Sequence, residues 1–592
     1  MGNVNYGYLF ETGVSDPYNG QRLNRDYDVL PPLTPYAFTR SSAYNPQFYD
    51  PAVNYQPWQS TAAQAYPAAD IVNPLLDPNY PQRFDDPLSS GLLSSLLSFG
   101  GDTIDAVTSY LLCNLLRLDL PFCRAQSSPF TSTQIAPFAV PDLLESALGA
   151  VGTAGSVITE TAGGLMPISR TRTTLLGPVT DYLTCNVDAV RTDLLGVLDG
   201  SALQRNYVCI AYNPATYYVP EDHGQFRFLV PPVVGFEGQC SAPEPEHFRR
   251  YVERYGAGAL LEFEDADGHR FEGALAPDGR CLRKVVLDGG QSRFSGPGYD
   301  RDYAAELQNF ANWFTYHRRR HQTIRAGLGE SLAGVGAVRA DVLTVNDATA
   351  NAVMKETGDR ASGGELEQLL SQVYHAFDDT PASNEAPLRQ ALNHLGAQYQ
   401  RRDADAPVQY ECQRNYGLLY TDGFATDYAS HRSVGNADLG AGAPYENTAS
   451  DSLGDIAQHY YQTNLRPDLT AGQVRVPGQC GDRADPRLDC NPNLHMNTYG
   501  VLLGNGGSLF GQGSYQTVAD AHRLPPAWPD VNSPSEAILR YQVDDLYNAT
   551  VNGRGEVYSA RLPTDITAGV NRALEDMEDQ ACLLYTSDAA DE

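Results

Sequence analysis

Lysine is almost missing from this chain. Only Lys284 and Lys355 are lysines, so arginine supplies nearly all of the 41 positive charges. Against them stand 72 Asp and Glu residues, giving a formal net charge of −31. A surface of that sign repels phosphate backbones, which argues against a nucleic-acid partner. It suits cations or a salty exterior, and it is also a common surface for a soluble acidic protein. Long apolar runs are missing too. None reaches the roughly 20 residues a membrane helix needs, and the nearest, PLSSGLLSSLLSFGG (87–101), is followed by Asp102 and Asp105. No transmembrane segment is expected, and no signal peptide opens the chain.

Recognisable catalytic motifs are absent as well. There is no nucleophile elbow and no phosphate-binding loop. GNGGSLFGQG (504–513) is glycine-rich but lacks a lysine and a clear helix start, so it reads as a flexible loop. His317 and His321 have the i, i+4 spacing of zinc ligands. They sit in YHRRRHQT, where three arginines disfavour a cation, so packing or surface roles are expected. No catalytic residue is nominated, and the chain reads as a non-enzyme.

What is present points to a secreted globular protein of two to four domains. Tyrosine (36), proline (39) and glycine (53) are plentiful. The ten cysteines include no CxxC. Cys113 with Cys123 and Cys480 with Cys490 bracket short segments, so disulfides are the better reading. Cys185 with Cys209 and Cys240 with Cys281 are further pairings, with connectivity left open.

Organisation changes along the chain. Residues 1–60 are aromatic and Asn/Pro-rich, and Tyr44, Phe48, Tyr49, Tyr55 and Trp58 are expected to pack as a layer, with a carbohydrate-stacking strip as the alternative. Residues 61–204 are low in charge, with helical spacing in LLSSLLSFGGDTIDAVTSYLLCNLLRL (92–118), and read as a helical insertion. Residues 205–299 read as β-rich, with DADG and APDG as hairpin turns. From 300 to 580 helix and strand patterns alternate, with strands in RADVLTVND, YGLLYTDG, LHMNTYGVLLG and GEVYSA. One helical pattern spans 302–335, and Gly553 is expected to supply a left-handed C-cap after the helix that precedes GEVYSA. Strands joined by crossover helices imply a doubly wound parallel α/β sheet, with its site at the strand C-termini. Asp422, directly after YGLLYT, is the carboxylate such a strand would deliver. The final residues, 582–592, read as a sequencing-adapter artefact, because CLLYTS back-translates to adapter-like DNA.

Six motifs in order carry a more specific likeness: FYDPAVNYQPW (48–58), NFANWFTYHRRRHQT (309–323), NYGLLYTDG (415–423), YYQTNLRPDL (460–469), HMNTYGVLLG (495–504) and LYNATVNGRGEVYSA (546–560). Together they resemble the PilY/PilC family of type IV pilus tip-associated proteins. The resemblance implies a von Willebrand factor A-like domain followed by a calcium-binding β-propeller. It also implies a divalent cation, Mg²⁺ or Ca²⁺, held by hard oxygen ligands from three loops. Asp422 matches the third loop. In the second, Ala386 stands where the family carries Thr, with Ser383 or Glu385 as possible substitutes. The first loop would lie upstream of Met1, together with the first strand and a signal peptide, and the propeller would follow residue 580.

The resemblance implies export through the periplasm to the cell surface or pilus tip. Type IV pilins or minor pilins, and a host or abiotic surface, are the implied partners. The alternatives are an A-domain assembly factor without an adhesive role and the non-catalytic half of a secreted hydrolase.

Overall fold

The computed structural model describes residues 34–83 (except 46, 72 and 73), short stretches at 136–139, 165–174, 177–186 and 207–210, and residues 215–578. That last span omits 229–236, 249–260, 288–289, 377–385, 422, 424, 426–431, 481–486, 504–505, 533–537 and 561–562. The chain divides into two compact units, one formed by residues 2–57 and 68–319, the other by 58–67 and 320–592.

In the first unit the expected hairpins are present. DADG joins strand Leu261–Glu264 to Arg270–Phe271, and APDG joins Gly273–Leu275 to Cys281–Val286. These strands belong to antiparallel sheets of four and three strands, and a Cys240–Cys281 disulfide is formed. Phe48, Tyr49 and Tyr55 are buried, with the Tyr49 ring 4.9 Å from Phe310 and 5.1 Å from Tyr217. Helix α1 (Tyr303–Tyr316) supplies their polar partners. Its Glu306, wholly buried, accepts the Tyr49 and Tyr217 hydroxyls at 2.8 and 2.9 Å and pairs with Arg301 at 3.0 Å. Asn309 accepts the Tyr55 amide at 2.7 Å, and Asn312 accepts the Ala69 amide at 2.9 Å. Rings enclosed in this way cannot stack on a sugar, so the packing reading holds for them.

Elements described between 61 and 204 are strands: Leu75–Asp77 with Tyr80–Arg83, Ala136–Ala139 with Tyr207–Ile210, and the hairpin Leu165–Thr174/Gly177–Asn186. The helical pattern at 92–118 lies outside the described residues.

The second unit is built on a parallel sheet. β1 (Asn415–Thr421), β2 (Met496–Leu503) and β3 (Arg554–Ala560) pair in that order, in parallel register. β2 is buried at all eight positions, as a central strand covered on both faces must be. Five helices precede or cross between these strands: α2 (Arg320–Gly334), α3 (Glu365–His375), α4 (Leu388–Gln398), α5 (Leu453–Gln462) and the short α6 (Val518–Arg523). α7 (Ile538–Asn552) leads into β3, and α8 (Pro563–Glu578) follows it. α5 and α7 are the crossovers. One sheet face packs Val501, Leu503 and Ala560 against Ile566 and Val570 of α8 and Ile324 and Leu328 of α2. The other packs Leu419 and Leu502 against Leu392 of α4, Ile456 of α5 and Val543 and Leu546 of α7. This is the α/β architecture the alternating pattern implies.

Three expectations need correction. The pattern over 302–335 forms two helices, because the chain turns at 317–319. His317 and His321 therefore share no helix face. His317 closes α1, and its Nε2 meets the Gln56 carbonyl at 2.8 Å, while His321 Nδ1 meets Arg325 at 2.7 Å. Second, RADVLTVND forms a strand only at Arg339–Ala340, paired with Lys355–Glu356. Third, the left-handed residue after α7 is Arg554 (φ 56°), not Gly553. Gly553 answers to space: a Cβ there would lie 2.5 Å from that of Thr498. Arg554 is held over the rings of Tyr445 and Tyr461 at 4.0 and 4.4 Å.

Candidate functional site

In an open parallel sheet, the chemistry gathers beyond the strand C-termini. Asp422, the sequence candidate there, lies outside the described residues, as do Ser383 and Glu385. Ala386 is described. It is half-buried, and its carbonyl accepts the Leu388 amide at 2.9 Å at the start of α4.

Two described carboxylates on α7, the crossover that starts at this end of the sheet, are engaged by internal donors. Asp544, on α7, accepts the amides of Ser508, Leu509 and Phe510 at 2.9, 3.0 and 3.0 Å. Three successive N–H groups wrap the carboxylate like a small anion nest. A Cβ at Gly507 would sit 1.9 Å from an Asp544 oxygen, so the close approach needs glycine. The loop read as flexible is thus pinned over the described residues 506–513, with Phe510 buried beneath it. Burial raises the Asp544 carboxyl above its usual range, and the Ser508 hydroxyl and the three amides oppose this.

Next to it, buried Asp545 pairs with the equally buried Arg389 of α4 at 3.3 Å and accepts the Gly454 amide at 3.3 Å. Arg389 also donates to Asn532 at 2.8 Å. A buried charge needs such a partner to be tolerated. With Arg389 in place, Asp545 is not a carboxylate awaiting a metal.

A third group joins the long loop after β1 to α5 and α7. Asp438, fully buried, accepts from the Asn447 side chain at 2.9 Å, and Asn447 donates in turn to Asn548 at 2.9 Å. Asp455 accepts the Ala437 amide at 2.7 Å and forms a capping box with Ser452 at the start of α5. Burial first, and the neighbouring Asp455 charge second, push Asp438 up to about 7. Sequence reading missed this network. The signal was available: Asp545, Asn548 and Asn552 recur at i, i+3 and i+7, a polar stripe along one side of α7.

At the opposite end of β1 and β2, Asp489 joins His495 at 2.9 Å and Arg414 at 3.4 Å. Beside it the expected Cys480–Cys490 disulfide is formed. Cys113 and Cys123 lie outside the described residues. In the first unit, Asp265, Asp267 and His269 bring three ligating atoms within 4.8 Å on the DADG hairpin, but Asp265 is already used by the turn's own amides.

The arrangement fixes loops around a sheet end; the described carboxylates do not form a metal cup. A cation at this end would depend on Asp422 and on residues other than those described.

Comparison with known proteins adds a lineage. The chain is 28% identical over 379 residues to the type IV pilus biogenesis factor PilY1 of Pseudomonas aeruginosa strain PAK, covering 57% of this chain and 30% of that protein. The PilY1 proteins of strains PAO1 and UCBPP-PA14 match at 26% and 25% over 355 and 303 residues. These likenesses support a relationship to the PilY/PilC family. It spans less than a third of the length of these curated relatives. No family model and no solved structure matches it. Among the described residues, no helix is long and apolar enough to cross a membrane.

Proposed function

We propose that this chain is part of a non-enzymatic type IV pilus biogenesis factor that acts at the cell surface, at or near the pilus tip. The observation that supports this is the match to three PilY1 proteins named as biogenesis factors, over about half of the chain. The six motifs lie in the aromatic segment, across α1 and the start of α2, and in the α/β unit. The reading includes a von Willebrand A-like role for the α/β unit, pilins or minor pilins as partners, and contact with a host or abiotic surface. It also includes a Mg²⁺ or Ca²⁺ ion at Asp422, whose open coordination position would take a partner's carboxylate.

Deletion of the gene in its native host, with surface pili counted by electron microscopy and adhesion scored in parallel, tests this. Loss of pili is expected, restored by the native gene. An Asp422→Ala allele that restores pili but not adhesion is the expected signature of a cation used for surface contact. Normal piliation and normal adhesion in the deletion strain would overturn the proposal.

A further inference from the structure

Between Gly435 and Asp451 the long loop after β1 closes on itself. The Asp451 amide donates to the Gly435 carbonyl at 3.0 Å. The Asp451 carboxylate accepts the Val434 and Gly435 amides at 2.6 and 2.8 Å and the Ser433 hydroxyl at 2.9 Å. A compact loop with joined ends is an Ω-loop, a class that often carries function. Gly440 and Gly442 have φ of 82° and 72°, and a Cβ on either would meet nothing within 4 Å. Conformation, not space, calls for glycine there. At the tip Leu439 is 70% exposed, beside exposed Gly440 and Ala441.

Inside the loop the tie is a carboxyl group. Asp438, wholly buried, reaches Asn447 across the loop and Asn552 at the end of α7. Its own amide points at a second carboxylate: Asp455 Oδ1, at the start of α5, accepts the Ala437 and Asp438 amides at 2.7 and 3.4 Å. Donors are short in this network. The Asn447 side-chain NH2 faces Asp438 Oδ2, Asn548 Oδ1 and Ser452 Oγ at 2.9, 2.9 and 3.2 Å. The Asn552 NH2 faces the Tyr445 carbonyl, Asn548 Oδ1 and Asp438 Oδ2 at 3.1, 3.1 and 3.5 Å. Each group has two protons for three acceptors. A proton on Asp438 adds the missing donor and removes a buried charge in one step.

Among the described residues, no cation bonds Asp438. Other buried carboxylates are compensated, Glu306 by Arg301, Asp545 by Arg389, and Asp489 by Arg414 and His495. The charged groups around Asp438 do not do this. Asp455 on α5 and Glu446 on the loop carry its own sign and push its titration up. Asp451 is bound to the base of the loop, and Asp545 of α7 is paired with Arg389. His459, one turn along α5 from Asp455, is lowered by burial and then by Arg432, so it is uncharged at neutral pH. His522 of α6 lies edge-on to the Tyr445 ring, with centroids 5.5 Å apart. Arg554 spends its guanidinium on the Asn552 carbonyl and on the Tyr445 and Tyr461 rings.

We propose that this loop is a proton-operated latch: protonated Asp438 holds it closed with a rigid tip, and loss of that proton releases residues 436–449 from α5 and α7 while the sheet stays folded. The Asp451 ties keep the base joined, so the release is local. A charged Asp438 has Asp455 beside it and no cation to offset either, so it regains solvation by moving out. Burial first and Asp455 second push the buried group up to about 7, whereas a solvated Asp titrates near 3.9. The closed form therefore keeps a proton that the open form has released. Opening is favoured about tenfold per pH unit between about pH 4 and 7 and gains nothing further above about 7. A rigid exposed tip binds another surface at lower entropic cost than a mobile one, so pH sets how Leu439 is presented. The inference does not rest on the proposed function.

Amide hydrogen exchange on the full chain tests this, from about pH 4.5 to about 8.5 and well below the melting temperature, with each rate divided by its intrinsic rate at that pH. The Ala437, Ala441 and Asn447 amides are all bonded inside the closed loop. They are expected to lose protection roughly tenfold per pH unit up to about pH 7 and then to level off. Amides of β2 are expected to stay at least about 100-fold better protected throughout, because they open only with the whole unit. Asp438→Asn, uncharged at every pH, is expected to keep the low-pH protection of the loop up to the highest pH. If that variant does not fold, Asp455→Asn removes the neighbouring charge and is expected to move the levelling-off to lower pH. Loop protection that does not change with pH overturns the proposal. So does loop protection equal to that of β2, which would make the opening global, and so does a wild-type curve in either variant.

Discussion

Asp438 shows how much one buried carboxyl can set. In the folded unit it titrates at about 7, through burial first and Asp455 second. In an unfolded chain an Asp titrates near 3.9. The folded state thus keeps a proton between roughly pH 4 and 7 that the unfolded state has released, so this group's contribution falls as pH rises through that window. Asp455, also raised chiefly by burial, acts with the same sign. His317 of the first unit, pushed down to about 4 by burial, acts oppositely between about pH 4 and 6.5, and Asp468 and Asp520, held down at about 2, do so only below about pH 4. Calorimetry is expected to give a higher melting temperature at pH 5.5 than at pH 8, and Asp438→Asn should shrink that difference. An unchanged difference in the variant would assign the effect to other groups. The buried polar stripe of α7 that completes this network was readable in the spacing of its residues. Its partners on the loop at 436–447 were not, because that loop has no periodicity.

Elements were legible where local signals and tertiary partners agree. The Ser452/Asp455 capping box was readable as a Ser/Asp start and is present, with Ser452 accepting the Asp455 amide at 3.0 Å. Ser452→Ala is expected to cost the α/β unit about 1 kcal/mol, measured by urea denaturation, whereas Ser452→Asp, which keeps an acceptor, should lose less. Equal losses in both variants would mean that packing around Ser452 matters more than the cap. β1, β2 and β3 were all legible as apolar runs, and their crossover helices as amphipathic patterns. RADVLTVND was not, for a physical reason: its period-two pattern specifies a strand, but a ladder also needs a neighbour, and only Lys355–Glu356 pairs with it. The 302–335 pattern misled in the opposite way. Apolar spacing runs through both helices, and nothing in that spacing marks the turn at 317–319. Gly553 was read as a conformational glycine when the demand there is close packing against Thr498; sequence alone does not separate those two uses.

At the scale of the molecule, the excess of 72 acidic over 41 basic residues raises a question that one titration can answer. A net charge of −31 makes the compact state repel itself, and added salt screens that repulsion. Screening depends on ionic strength and does not saturate at low concentration. A bound cation saturates, and its stabilisation follows the ratio of ligand to dissociation constant. The two are separable by comparing NaCl with MgCl2 and CaCl2 at matched ionic strength, using melting temperature as the readout. NaCl from about 0.01 to about 0.5 M is expected to raise the melting temperature by a few degrees, gradually. If the α/β unit also holds a divalent ion through Asp422, a saturable rise in the low-millimolar range should appear with Mg²⁺ or Ca²⁺ and vanish in Asp422→Ala. Coincident curves for all three salts would assign the whole effect to screening and remove the cation from the proposed function. Because Asp544 and Asp545 already have internal donors, a saturable response that survives in Asp422→Ala would point elsewhere. The exposed group Asp265, Asp267 and His269 would then be the next place to substitute.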